Sequence, residues 1–196
     1  METTVIELPR DFAHYDLVRG FLELRKRVFI DDMAWSLVEV SELEFEQYDT
    51  FKAVYIIVHE GDEILAGARL LPTNTSIGTG RMKYSYMIKD AHDGHLTGMP
   101  SDLCFDSPPK SDTVWELTRL VSKPKTNAAK LVLFEANNFL RRQCAKTCLF
   151  LAPPAFLRLA KSMGFSPQRL GPIVGNEDGR FLAFSCDVVY ADEVQV

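Results

Sequence analysis

The stretch AVYIIVHEGDEILAGARLL, residues 53–71, decides the fold because it holds two apolar runs joined by a short polar turn. The first run, Ala53–His59, and the second, Ile64–Leu71, are rich in the β-branched and aliphatic residues that favour strands. The turn between them, Glu60–Asp62, has a glycine at its centre. The stretch therefore predicts a β-hairpin.

On the N-terminal side of this hairpin, the sequence predicts a short strand at Val5–Leu8 and then an α-helix. The apolar positions from Leu17 to Val28 are spaced by three or four residues, as on one face of a helix that ends near Phe29 or Ile30. The polar, acidic segment 31–49 follows, and we interpret it as a structured loop or lid.

On the C-terminal side, residues 72–111 are rich in Gly, Ser, Asp and Pro, which predicts a functional loop system with a weak strand at Lys83–Ile88. The next helix has Thr126 or Asn127 as its N-cap. The remaining predicted elements are strands at Val114–Val121, Leu149–Ala152 and Phe181–Val189 and a short helix at Ala155–Met163. This order predicts an α/β fold, a three-layer α-β-α sandwich with a mixed central sheet.

Length and composition exclude several classes of protein. At 196 residues and 46% hydrophobic content, with 13 Phe, the chain is expected to form one folded domain, 1–196. The net charge of -5 argues against nucleic-acid binding, which depends on clustered basic residues. Because Met1–Arg19 has four acidic residues and no continuous apolar run, we expect neither a signal peptide nor a membrane anchor, and a cytoplasmic location.

The cysteines and histidines do not form a convincing reactive or metal-binding motif. The four cysteines lack CxxC spacing and are expected to be buried free thiols, although Cys144 and Cys148 are spaced as two metal ligands on a helix could be. His92 and His95 could be drawn with neighbouring aspartates as a metal site, but an exposed loop explains them better. We therefore expect no metal.

Charged residues inside apolar sequence are the main functional signal. Arg69 lies in the second strand of the hairpin, and Glu116 and Arg119 lie in the strand 114–121. A charge in such a place must be paired or lie at the edge of a site, because burying an unpaired ion is costly. Glu116 and Arg119 are three apart, so their side chains tend to opposite faces unless a bulge intervenes. Structural ion pairing explains any one of these residues about as well as function does.

Nine positions, taken together, form a composite pattern from about Leu24 to Val121, half of the chain. In order, they are Arg25, Phe29, Trp35, Glu44, Glu46, Asp49, Arg69, Glu116 and Arg119. This pattern resembles that of the LuxI-type acyl-homoserine-lactone synthases. It implies a fold of the Gcn5-related N-acyltransferase type.

The resemblance also implies a reaction that produces a quorum-sensing signal. The amine of S-adenosylmethionine attacks an acyl thioester, carried by acyl carrier protein or coenzyme A, and its carboxylate then displaces methylthioadenosine to close a lactone. S-adenosylmethionine is the substrate, and no cofactor is expected. Acidic groups suit its sulfonium and amine, an arginine suits its carboxylate, and aromatic walls suit its adenosine.

Individual roles follow from the resemblance. Glu116 is expected to be the general base, since the amine must lose a proton before it attacks; Glu46 is also placed in the catalytic group. Arg25 and Arg119 are expected to pair with the acidic cluster and orient it. The remaining substrate-binding candidates are Phe29, Trp35, Glu44, Asp49, Arg69 and Thr118.

Two positions depart from the family pattern, and both concern residues of the expected site. The family usually has Asp where this chain has Glu46, one methylene longer, which puts the position of that carboxylate and the acceptor in doubt. Thr118 replaces a common Ser and keeps the hydroxyl. Little change is expected from the second difference.

The acyl chain is expected to lie in a tunnel lined by Val121, Phe150 and Leu151, although an ordinary core would contain the same residues. Phe150 is large and apolar where some relatives that accept 3-oxo chains have Thr, so the resemblance implies an unsubstituted acyl group. Basic residues could bind a carrier phosphate or an acidic carrier protein, or could simply be solvated; they are Lys123, Lys125, Lys130, Arg141, Arg142 and Lys146.

Two other functions remain open from the sequence. One is an N-acyltransferase acting on another amine, but the glycine-containing loop that cradles pyrophosphate in the general N-acetyltransferases is missing from Leu120–Thr126. The other is a non-catalytic ligand-binding relative, which should tolerate the loss of the Glu116 carboxylate.

Overall fold

The computed structural model describes residues 1–80 and 82–190. Within that part of the chain the strands are β1 (Glu2–Glu7), β2 (Glu39–Val40), β3 (Leu43–Glu44), β4 (Val54–Glu60), β5 (Glu63–Pro72), β6 (Ile77–Thr79), β7 (Met82–Tyr84), β8 (Val114–Ser122), β9 (Thr147–Ala152), β10 (Gln168–Asn176) and β11 (Gly179–Asp187). The α-helices are α1 (Tyr15–Arg25), α2 (Met87–His92), α3 (Ala128–Arg142) and α4 (Phe156–Ser162).

Seven strands form one mixed sheet, in the order β1-β4-β5-β8-β9-β11-β10. β8 and β9 run parallel, with Val114 opposite Thr147, whereas the pairs β1/β4, β4/β5, β9/β11 and β10/β11 are antiparallel. The predicted α/β class with a mixed central sheet is confirmed. The predicted hairpin is confirmed as well, because Glu60 pairs with Glu63 across the β4–β5 turn.

The chain divides into two compact units, and the first comprises Met1–Leu70 and Thr118–Phe139. Its core forms where α1 packs on the hairpin. Phe21 of α1 is fully buried and meets Tyr55 of β4 edge to face, with ring centroids 6.1 Å apart. A Cβ atom at Gly67 would lie 2.6 Å from the Phe21 ring, so this close approach requires a residue without a side chain.

The second unit comprises Leu71–Leu117 and the chain from Leu140 onward. Its core includes an aromatic cluster on β9, β11 and α4. Phe150 and Phe184 are opposite each other in the β9/β11 ladder and stack with centroids 5.0 Å apart. Phe156 of α4 lies 6.2 Å from each of these two rings.

Helix α3 begins at Ala128, directly after the two predicted N-cap candidates, and the carbonyl oxygen of Asn127 accepts the first hydrogen bonds of the helix, from Lys130 and Leu131. The hydroxyl of Thr126 accepts a hydrogen bond from the backbone N–H of Ala128 at 3.3 Å. The helix then runs to Arg142, and its apolar face buries Val132, Ala136 and Phe139. The periodic spacing of these residues is what made the helix predictable.

Other elements differ from the prediction. The weak strand expected at Lys83–Ile88 is wrong beyond Tyr84, since Met87 begins helix α2. The backbone amides of Met87 and Ile88 are bonded to the distant Glu116 carboxylate, a tertiary contact that a local pattern does not contain. Strand β10 was not predicted, because Gly171 and Pro172 interrupt its apolar pattern.

The start of the predicted lid also differs in detail. The helix leading to it ends as α-helix at Arg25 and continues as a π-helical segment over Lys26–Asp32. The polar segment after it is mostly irregular, as expected, with the short hairpin β2–β3 inside it. Of the cysteines, three are buried free thiols as predicted, but Cys144 is exposed, so the expectation is wrong for that residue.

Residues 1–80 and 82–190 contain neither a membrane-spanning helix nor a cluster of metal-binding side chains. No helix in residues 1–80 and 82–190 is long and apolar enough to cross a membrane. In the same residues, no group of three or more His, Cys, Asp or Glu side chains is arranged to hold a metal ion.

Candidate functional site

Three arginines and three carboxylates of the first unit form a closed ring in which the two charges alternate. Each carboxylate contacts two guanidinium groups, and each guanidinium contacts two carboxylates. In order around the ring, the residues are Arg25, Asp49, Arg69, Glu46, Arg119 and Glu44. Every ion of the ring therefore has an opposite charge on both sides, and the formal charge of the ring is zero.

Arg25, the last residue of α1, holds two of the carboxylates. Its two terminal nitrogens donate to the two oxygens of Asp49 at 2.8 and 3.0 Å, a bidentate geometry, and the group also bonds to Glu44. Arg25 and Glu44 are fully buried. Burial by itself lowers the pKa of Arg25, but the adjacent Asp49 and Glu44 charges outweigh it and raise the pKa above its ordinary value.

Arg69 of β5 bonds to three groups that the sequence placed far apart. Its NH2 nitrogen donates to Glu46 at 2.6 Å and to the Thr118 hydroxyl at 3.1 Å, and its NH1 nitrogen lies 3.0 Å from Asp49. The guanidinium also lies over the Tyr48 ring, 5.6 Å from its centroid. The buried Nε of Arg69 has no hydrogen-bond acceptor among the described residues.

Arg119 closes the ring from β8. It donates to Glu44 at 3.2 Å and to Glu46 at 2.8 Å. Its backbone φ of 56° is the left-handed conformation, which interrupts the regular alternation of the strand. The sequence left open whether β8 is irregular between Glu116 and Arg119, and the positive φ at Arg119 is such an irregularity.

The arginines of the ring keep two of its carboxylates, Asp49 and Glu46, ionised. Burial alone would raise the pKa of Asp49, but Arg69 and Arg25 hold that pKa below its ordinary value. The same balance applies to Glu46, where burial raises the pKa and the charges of Arg119 and Arg69 lower it further than burial raises it. Both carboxylates are therefore charged at neutral pH.

An aromatic pair lies beside the ring. Phe29, in the π-helical segment, stacks on Trp35 with centroids 5.0 Å apart and planes 4° from parallel. The Arg119 guanidinium lies 6.0 Å from the centroid of the Phe29 ring. The pair brings a flat apolar surface and the charged ring together in the same unit.

Glu116 lies on the part of β8 that belongs to the second unit. It is fully buried, and its two oxygens accept the backbone N–H groups of Met87 at 3.0 Å and of Ile88 at 2.7 Å. These are the first two residues of α2, so the carboxylate is bound at the positive end of that helix.

The three candidate acyl-pocket residues are divided between the two units, one in the first and two in the second. Val121 is buried in the first unit, near the end of β8. Phe150 and Leu151 are consecutive residues of β9 in the second unit, where Phe150 belongs to the aromatic cluster and Leu151 is half-buried.

Nine of the ten catalytic and substrate-binding candidates, all except Glu116, lie in the first unit, where most of them contact one another directly. Sequence reasoning missed two contributors. Tyr55 donates its hydroxyl to Asp49 at 3.2 Å, and its only sequence signal is a phenol in an otherwise apolar strand. The amides of Met87 and Ile88 carry no side-chain signal at all.

Comparison with known proteins identifies the family of the chain. The autoinducer synthase family matches residues 12–170. An acyl-homoserine-lactone synthase of Acinetobacter nosocomialis is 30% identical over 169 residues, which cover 80% of this chain and 84% of that protein.

Similar solved structures extend the comparison to the fold. The structure of TofI in a ternary complex with an inhibitor and MTA has a TM-score of 0.75 and 25% identity, and the match covers 99% of this chain and 94% of that one. An acyl-CoA N-acyltransferase of Pseudomonas aeruginosa shares the fold, with a TM-score of 0.59 at 14% identity, and the match covers 94% of this chain and 99% of that one. The expected relation to the N-acyltransferase fold is confirmed. The chain belongs to the autoinducer synthase family, and it is an acyltransferase of the acyl-homoserine-lactone synthase type.

Proposed function

We propose that the chain joins an acyl group to the amine of S-adenosylmethionine and releases an N-acyl-homoserine lactone. In the first step the amine nitrogen attacks the thioester carbonyl, the carrier thiol leaves, and the amine gives up a proton. In the second step the substrate carboxylate attacks the carbon bonded to sulfur, which breaks the carbon–sulfur bond and releases methylthioadenosine. The observation that carries the proposal is the closed ring of three arginines and three carboxylates.

The ring offers the groups that S-adenosylmethionine needs. The buried Nε of Arg69, which has no acceptor among the described residues, is a donor for the substrate carboxylate. Glu44, Glu46 and Asp49 supply negative charge for the amine and sulfonium, and the Phe29–Trp35 stack supplies an aromatic wall for the adenosine. The TofI structure contains MTA, the methylthioadenosine that the proposed reaction releases, and this supports S-adenosylmethionine as the substrate of this chain.

Glu116 is proposed as the base that accepts the amine proton. Its oxygens each accept one amide N–H, and a carboxylate oxygen has a second lone pair for a proton or a bridging water. Glu46, held by two arginines, is proposed to orient the amine rather than to take the proton.

The acyl donor is proposed to be a thioester of acyl carrier protein or coenzyme A. Phe150 and Leu151 are proposed to contact the acyl chain, with Val121 as a further candidate. The stacked Phe150 ring supports an unsubstituted chain, since it offers no hydrogen-bond donor to an oxygen on the chain. We also propose a cytoplasmic location, because S-adenosylmethionine and acyl thioesters are intermediates of cytoplasmic metabolism.

The test is release of methylthioadenosine from S-adenosylmethionine by the purified protein with a panel of acyl thioesters on both carriers. Release of methylthioadenosine is expected to depend on the acyl donor. The donor with the highest kcat/KM identifies the preferred acyl group. If an acyl group is transferred only to other amines, the proposal is wrong and the protein is an N-acyltransferase of a different substrate.

A further inference from the structure

Glu116, Tyr86 and Asp90 are buried side chains that fix helix α2 through hydrogen bonds, and the last two have no part in the reaction proposed above. Glu116 accepts the Met87 and Ile88 amides. Tyr86 is the residue before the helix, and its fully buried hydroxyl donates to the carbonyl oxygen of Pro109 at 2.5 Å.

Asp90 fixes the chain on the N-terminal side of the same helix. It is 2% exposed, and its carboxylate accepts the backbone N–H of Ser85 at 2.8 Å. The Ser85 hydroxyl in turn donates to the carbonyl oxygen of Thr75 at 3.3 Å. The Asp90 side chain therefore ties the two ends of the segment 85–90 to each other, and the Ser85 hydroxyl ties the segment to Thr75. The two amides that hold Glu116 lie within this segment.

A helix of six residues has little stability of its own, so its position depends on these tertiary bonds. If the first turn of α2 moves, the N–H groups of Met87 and Ile88 move with it, and Glu116 loses donors that stabilise its ionised form. The side chain would also lose the two bonds that set its direction. The fastening of α2 therefore affects both the basicity and the aim of Glu116.

We propose that Tyr86 and Asp90 are positioning residues for Glu116, acting through the first turn of α2. The inference rests on the proposed function, in which Glu116 accepts the amine proton. Neither side chain is required to touch substrate. Tyr86 and Cys148 are titratable groups that interact electrostatically with Glu116. Burial raises the pKa of each above its ordinary value, so both are neutral at physiological pH.

The experiment compares Tyr86→Phe, Asp90→Ala and Asp90→Asn with the unaltered protein. The matched control is Tyr190→Phe, which removes a similar bond from a tyrosine hydroxyl to the carbonyl oxygen of Ala145, 2.7 Å long, away from α2. Two measurements need no substrate: hydrogen exchange of the Met87 and Ile88 amides, and NMR titration of the Glu116 carboxyl carbon. The third is the pH dependence of kcat/KM.

Tyr86→Phe and Asp90→Ala are expected to speed exchange of the two amides by about fivefold, the effect of losing one net hydrogen bond. In both variants the Glu116 carboxyl signal and the acidic limb of kcat/KM are expected to shift to higher pH. Asp90→Asn is expected to behave like the unaltered protein, because its amide oxygen still accepts the Ser85 N–H. Tyr190→Phe is expected to change none of the three.

Unchanged exchange and an unchanged Glu116 titration in Tyr86→Phe would overturn the inference, even if the melting temperature fell. A shift in both substrate-free measurements, in a protein that makes no lactone, would support the positioning role and contradict the proposed reaction. The two failures are therefore distinguishable.

Discussion

Asp49 is the most heavily bonded carboxylate of the ring. It receives both terminal nitrogens of Arg25, the Tyr55 hydroxyl and the backbone N–H of Glu46, and Arg69 lies 3.0 Å away. Such a group is stabilising only while all its partners are present, since removing one member of a buried ion pair leaves the opposite charge uncompensated. We therefore expect the ring to couple the stability of the first unit to the proposed reaction.

Replacing Asp49 by Asn tests this coupling. The variant keeps the size of the side chain but leaves three arginines facing two carboxylates, so we expect the free energy of unfolding to fall by about 3–5 kcal/mol. Urea denaturation measures the loss. The control is Asp62→Asn in the exposed β4–β5 turn, which should change stability by less than about 0.5 kcal/mol. An equal change in the free energy of unfolding in the two variants would show that the ring adds no more stability than an exposed carboxylate does.

The lowered pKa of Asp49 also predicts how stability depends on pH. Its folded-state pKa lies below its unfolded value of about 4. The stabilisation is therefore fully present above about pH 4 and is lost as the pH falls through the folded-state value. As the pH is lowered from neutral, the urea concentration at the unfolding midpoint should begin to decrease at about pH 4. The decrease should be steeper in the unaltered protein than in Asp49→Asn. Parallel curves for the two proteins would contradict the assignment.

Glu116→Gln removes the proposed base and keeps a side chain of the same size. We expect kcat to fall by about 10²–10⁴-fold, the usual contribution of a general base. The assay is methylthioadenosine release, and Glu63→Gln, an exposed carboxylate that pairs with Lys123, is the control. Full activity in Glu116→Gln would mean that the proton leaves by another route.

Helix α1 delivers Arg25 to the ring, and its approach to β5 depends on Gly67. A methyl group at that position would be 2.6 Å from the Phe21 ring and 3.2 Å from the carbonyl oxygen of Ile56. Gly67→Ala should therefore destabilise the protein by about 1–3 kcal/mol through overpacking, measured by urea denaturation. Gly61→Asn is the control, since its side chain meets open space and Asn tolerates a positive φ. If Gly67→Ala unfolds at the unaltered urea midpoint, α1 adjusts freely.

The elements that the sequence predicted well are those whose own residues determine them. The β4–β5 hairpin has two apolar runs around Gly61, and α3 has a regular apolar face with the Thr126 hydroxyl bonded to its first amide. The elements that were missed depend on distant partners. Helix α2 begins where Glu116 holds its amides, and β10 contains Gly171, where a Cβ atom would lie 1.9 Å from the carbonyl oxygen of Leu103.

The site was predicted by residue type but not by arrangement. The resemblance supplied the three arginines and the acidic trio, and burial of so many charges required that they pair. Their alternation in a closed ring could not be inferred, because it depends on side-chain geometry from α1, β3, β5 and β8 at once. The positive φ of Arg119 likewise has no sequence signal, since arginine does not favour that conformation.

The three boundaries between the two compact units fall inside β5, β8 and α3, so none of them is a linker. We therefore propose that residues 1–196 form a single domain. A single calorimetric transition, with equal calorimetric and van't Hoff enthalpies, is expected. Two separated transitions would contradict it.

The most direct test of the account follows the substrate's own atoms. S-adenosylmethionine labelled with ¹⁵N in its amino group is incubated with the protein and an accepted acyl thioester, and the organic extract is analysed by mass spectrometry. We predict an acyl-homoserine lactone that carries the label, with one methylthioadenosine released per lactone. An acylated product without the label, or acyl transfer without release of methylthioadenosine, would contradict the proposed reaction.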